Sequence, residues 1–125
     1  MNQNRELLDI IAAAAADKKA LEIEAIDVSG LTSVADCFMI CTGTSAPHLK
    51  AICDAIEQAA EQKLSISARH IEGYNQGDWI LIDYGEIIVH IFLAEMRRFY
   101  SLECLWNTAK KIDLSHIIGK IEAGV

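Results

Sequence analysis

Two short stretches of this chain hold residue types that chemistry needs. Asp83 and His90 lie on apolar runs that flank Gly85, and a histidine beside a carboxylate can act as a general base. Gly43-Thr44-Ser45 separates an apolar run from Pro47, and the free N–H groups of a helix start there could hold a phosphate. Both have plainer alternatives. A histidine satisfied by its neighbours is commoner than a catalytic one. The loop lacks the P-loop lysine and the three-glycine dinucleotide pattern, so a capped helix is the better reading. A metal-dependent nucleotidyl transferase would also need two acids, two residues apart, on a strand after the loop. Asp36 precedes the loop and Asp83 stands alone, so that pair is missing.

The four cysteines, Cys37, Cys41, Cys53 and Cys104, form no CxxC pair and no zinc-type spacing. Cys37 and Cys41 would share a strand face about 13 Å apart, too far to bridge, and are read as small core hydrophobes. A nucleophilic Cys41 or Cys104 would need His90 close by, which sequence alone does not decide. His48, His70 and His116 show no metal-ligand spacing, and neither metal nor cofactor is expected. The remaining chemistry is aromatic. From Glu72 to Trp106 the chain holds both tryptophans, all three tyrosines and two of the three phenylalanines. Trp and Tyr among apolar neighbours are frequent anchors of protein interfaces, though an internal cluster has the same composition.

The elements that must position these residues follow from periodicity. Leu7, Leu8, Ile11, Ala14 and Ala15 recur at helical spacing between Asn4 and Lys19. Leu21 to Val28 alternates and then reverses phase, which predicts a bulge or a strand buried on both faces near Ala25. Asp36 to Thr42 is an interior strand. Ser45 or Thr44 caps a helix opened by Pro47, whose apolar face is Leu49, Ile52, Cys53, Ile56, Ala59, Ala60 and Leu64. Ser65 to Ile71 is expected as a third strand. Trp79 to Asp83 and Ile87 to Leu93 form a hairpin around Gly85, with Trp79, Leu81 and Asp83 on one face and Ile88, His90 and Phe92 on one face of the partner strand. Glu95 to Ala109 reads as a closing helix, and Leu114, Ile117, Ile118 and Ile121 as a short helix or a frayed end.

At 125 residues, 52% of them apolar, the chain is sized for one domain, here placed at residues 1–112 with a tail at 113–125. It has no apolar run of membrane-spanning length and no signal-peptide pattern, so a cytoplasmic location is expected. A net charge of −7 opposes a nucleic-acid grip, which needs clustered Lys and Arg, and suits a basic protein partner.

Several blocks together resemble the ribosomal silencing factor, or Iojap-related, family: Asp36 to Ser45, Glu72-Gly73-Tyr74, Gly77-Asp78-Trp79, Asp83 to Glu86 with Val89 to Phe92, and Arg97 to Tyr100 with Leu102-Glu103 and Leu105-Trp106. The resemblance covers about the first 110 residues. It implies an α/β fold, a mixed central sheet flanked by helices, similar in outline to nucleotidyl transferases but without their catalytic acids. It also implies a non-enzymatic function: binding the fourteenth protein of the large ribosomal subunit, so that the small subunit cannot join and translation is repressed when nutrients are short. Among the motif positions, Trp79, Asp83, Tyr84, His90, Tyr100, Leu102 and Trp106 are expected at the contact, with the glycines structural. The alternatives are a nucleotide-handling enzyme using Gly43 to Ser45 with Asp83 and His90, and a scaffold that self-associates as a homodimer off the ribosome.

Overall fold

The computed structural model describes residues 2–31, 33–96 and 110–117. Helix α1 (Asn2–Asp17) leads into strand β1 (Leu21–Asp27), and β2 (Cys37–Gly43) is followed by the long helix α2 (Ala46–Leu64). Four strands complete the described chain: β3 (His70–Glu72), β4 (Trp79–Asp83), β5 (Ile87–Leu93) and β6 (Lys110–Ile112). They make one sheet in the order β3-β4-β5-β2-β1-β6. The central pair, β2 with β5, is parallel, and every other pair is antiparallel. The result is a single α/β domain with a mixed six-stranded sheet flanked by helices.

β2 is buried along its whole length because both sheet faces are covered there. On one face Met39, Cys41, Ile80, Ile82, Val89 and Ile91 meet Leu7, Leu8 and Ile11 of α1 and Leu49, Ile52, Cys53 and Ile56 of α2. On the other, Ile26, Val28, Ala35, Phe38, Ile40, Ile88 and Phe92 form a smaller cluster edged by Trp79, Leu81 and Met96. The two long helices therefore share one face. Ala12 and Ala15 are fully buried there, and their small side chains let α1 lie close against its neighbours.

Local chemistry sets most boundaries. Ser45 is the N-cap of α2 and its Oγ accepts the His48 N–H at 3.2 Å, with Pro47 in the first turn as expected. Gly85 turns the β4–β5 hairpin at φ +92, where its N–H donates to Asp83 Oδ1 at 2.7 Å. The pairing is Trp79↔Phe92, Leu81↔His90 and Asp83↔Ile88, which brings the two expected sets of residues together.

Three features differ from the sequence reading. The bulge in β1 falls between Leu21 and Glu24, with Glu22 at φ 49, rather than at Ala25. Ala25 and Ile26 are nonetheless both buried, one toward each face. The third strand is His70–Glu72 instead of Ser65 to Ile71, because Ser65 takes the left-handed conformation and closes α2 through N–H bonds to Ala60 and Glu61. The ladder starts only once the Arg69 N–H reaches the Asp83 carbonyl at 2.7 Å. Finally, β6 had no place in the sequence reading. It pairs with β1 through Ala25↔Ile112, and Lys111 reaches Glu24 at 3.1 Å. Beyond it Leu114 is buried against the main core. Of the expected closing helix, residues 95 and 96 are helical, and 97–109 lie outside the described residues.

Candidate functional site: an aromatic sheet face

The smaller cluster is built by alternation along three adjacent strands. β4 contributes Trp79 and Leu81, β5 contributes Ile88, His90 and Phe92, and β2 contributes Phe38 and Ile40. Four rings meet there. Trp79 lies 4.8 Å from Phe92 between centroids, Phe38 meets the edge of His90 at 4.8 Å, and His90 stacks on Phe92 at 6.0 Å with an interplanar angle of 8°. The Trp79 indole N–H donates to His90 Nδ1 at 3.2 Å. Burial pulls the His90 pKa down from 6.5 to about 4, so the ring is neutral near pH 7. Its Nε2 is buried and has no hydrogen-bond partner among the described residues.

Trp79, Leu81 and Met96 are only half-buried at the rim of this cluster. The loop from Val28 to Ala35, anchored at both ends in the same cluster, carries Leu31 at 49% and Val34 at 73% exposure. Solvent-exposed apolar side chains beside an aromatic group suit a protein-docking surface. Sequence reasoning missed Leu31 and Val34, since a Ser-Gly turn gives no periodicity to read.

Of the seven expected contact residues, the structure brings Trp79 and His90 together. Asp83 shares their face by register, but its carboxylate is engaged elsewhere. Oδ1 caps Gly85, and Oδ2 stands 3.7 Å from His70 Nδ1. Its role is to close the hairpin, and it forms no acid–base pair with His90. Tyr84 falls on the opposite face, against the main core, and burial followed by the nearby Glu57 and Cys53 raises its phenol pKa. Tyr100, Leu102 and Trp106 lie outside the described residues.

The candidate phosphate loop is already occupied by its own side chains. The Thr44 N–H donates to His48 Nδ1 at 2.9 Å, and His48 Nε2 donates to the Lys18 carbonyl at 2.7 Å, tying the loop to the end of α1. Gly43 is packed so tightly that a Cβ there would stand 2.8 Å from Leu49 and 3.2 Å from His48. A phosphate would have to displace this imidazole to reach the Thr44 N–H. His48 was legible only as a histidine three residues past a cap. Cys41 points into the main core while His90 faces away from it, so the two cannot act as nucleophile and base.

Among the described residues one group brings metal-ligand atoms together: those of Cys53, Asp54 and Glu57 lie within 4.8 Å of one another. Burial, followed by Glu57 and Asp54, pushes the Cys53 thiol up to about 12, and Asp54 accepts from the Tyr74 hydroxyl at 2.9 Å. A protonated thiol and an engaged carboxylate make a poor ligand set.

Comparison with known proteins agrees with the sequence resemblance. A family model described as "ribosomal silencing factor during starvation" matches residues 1–124. A protein of Halalkalibacterium halodurans named ribosomal silencing factor RsfS is 37% identical over 115 residues, spanning 92% of this chain and 97% of its own. The protein of that name from Bacillus subtilis is 40% identical over 114 residues, spanning 91% and 95%. A crystal structure of a Chromobacterium violaceum protein superposes with a TM-score of 0.79 at 29% identity, covering 82% of this chain and 85% of that one.

Proposed function

The chain belongs to the ribosomal silencing factor family, and from that premise we propose that it docks on the large ribosomal subunit, through its fourteenth protein, and sterically blocks joining of the small subunit. Translation is thereby repressed when nutrients are short. The mechanism is exclusion, and needs neither catalysis nor cofactor. It operates in the cytoplasm, where the subunits join.

The observation that carries this reading is the aromatic sheet face, with Trp79 at its rim and Leu31 and Val34 exposed beside it. His90 lies within it and Trp79 at its edge, and Tyr100, Leu102 and Trp106 remain proposed contacts. Asp83 acts by holding the hairpin that presents the face, and Tyr84 by anchoring that hairpin to the core. The net charge of −7 complements a basic ribosomal protein and favours rapid encounter. Membranes and naked nucleic acid have no part in it. Among the described residues no helix is long and apolar enough to cross a bilayer. A homodimer using the same face would be the form off the ribosome.

The test is sedimentation of the purified protein with free large subunits, followed by addition of small subunits. Co-sedimentation and loss of joined ribosomes are expected. A protein that stays in the supernatant, or that pellets without reducing subunit joining, refutes the proposal.

A further inference from the structure

His90 is only 6% exposed, held by Phe38, Phe92 and Trp79 in the middle of β5. The Trp79 indole nitrogen, 3.2 Å from His90 Nδ1, can only donate. Nδ1 is therefore the acceptor and carries no proton. A neutral imidazole has a single N–H, which must then sit on Nε2. That Nε2–H is buried with no acceptor among the described residues. A buried donor left unanswered destabilises the fold, and such groups are few in native structures.

We propose that the His90 Nε2–H is the directional recognition donor of the docking face, answered by a carbonyl oxygen of the large-subunit protein that binds there. Trp79 is the positioning residue that fixes the ring in this tautomer. The inference rests on the ribosome-docking function proposed above and adds the chemistry by which that face selects its partner. A carbonyl fits better than a carboxylate, because a bare charge among three aromatic rings would be desolvated without a cation to meet it. Leu81, directly across from His90 on β4, and Met96 are half-buried beside the same cluster, and a partner reaching Nε2 would have to displace side chains there.

One experiment in two arms tests this. In the first, imidazole nitrogen NMR of the free protein should find His90 in the Nε2–H form, and Trp79→Phe, which keeps the ring packing and removes the donor, should give a mixture of tautomers. A wild-type ring protonated on Nδ1, or a tautomer unchanged in Trp79→Phe, overturns the positioning role. In the second, folded variants are pelleted with large subunits. His90→Leu keeps the apolar bulk and should weaken binding about tenfold, the worth of one hydrogen bond, whereas His90→Gln retains an N–H near Nε2 and should recover most of it. If wild type pellets and His90→Leu pellets equally well, the donor is not read and the inference falls. If wild type itself fails to pellet, the docking function falls first and takes this inference with it. Should His90→Leu not fold, His90→Phe, which keeps a ring and lacks the donor, takes its place: subunit binding equal to wild type refutes the inference, and binding weakened as expected for the leucine variant supports it.

Discussion

Replacing Gly73 by alanine should destabilise the protein far more than the same change at other glycines. Gly73 follows β3 at φ +78, and a Cβ there would stand 2.1 Å from the Trp79 carbonyl oxygen. Two penalties combine. A left-handed backbone costs a residue with a Cβ about 1–2 kcal/mol. Alanine offsets about 0.5–1 kcal/mol of this by restricting the unfolded chain. The contact adds more, because about 1 Å must open between two backbone segments, and overpacking on this scale costs about 1–3 kcal/mol. The net loss is about 2–4 kcal/mol, a large share of the ~5–15 kcal/mol that holds a typical domain together. Gly77 isolates the first penalty, since at φ +89 its Cβ would meet only the Ala46 methyl, at 3.1 Å. Gly30, with open space around it, is the control. With a urea slope of about 1.5 kcal/mol per M, Gly73→Ala should lower the unfolding midpoint by about 2 M and Gly77→Ala by less than about 1 M. Circular dichroism in urea reads both. If the two variants unfold together, the close approach of Gly73 to the Trp79 carbonyl does not constrain the start of β4.

Two further outcomes follow from the same geometry. Since His90 has its pKa depressed to about 4 in the fold, the unfolded chain takes up the proton first. Stability is therefore complete above about pH 6.5 and falls, by roughly 3 kcal/mol from this group, as pH drops toward 4. Urea midpoints at about pH 7 and pH 4.5 should show a shallower acid loss in His90→Leu than in wild type, and equal losses would contradict the assignment. Ser45→Ala removes the cap on α2 and should cost about 1 kcal/mol in thermal unfolding. A change of only a few tenths would mean that the cap is not what starts the helix.

The parts of the fold legible in the sequence are those written locally. Ser45 and Pro47 announce α2, and the Asp83-Tyr84-Gly85 turn with its alternating flanks announces the β4–β5 hairpin. β6 was illegible because Lys110-Lys111-Ile112 has one apolar residue and becomes a strand only through its partner β1. The start of β3 was misjudged because the left-handed Ser65 that closes α2 leaves no periodic trace. Tyr84 was grouped with Trp79 by chemistry, although alternation from Asp83 already placed it on the opposite face. His48 could not be seen as the occupant of the Gly43–Ser45 loop, since its second partner, the Lys18 carbonyl, is 30 residues away.

The two margins of the sheet limit how this protein can aggregate. Among the described residues β3 and β6 are each three residues long and between them carry His70, Glu72, Lys110 and Lys111, while β1 is bent by the bulge at Glu22. Short, charged or kinked borders give an incoming strand too little backbone to pair with, so runaway strand addition into fibrils is suppressed at both ends. On the docking proposed above, self-association of this chain would then run through side-chain contacts on one face rather than through its strand edges.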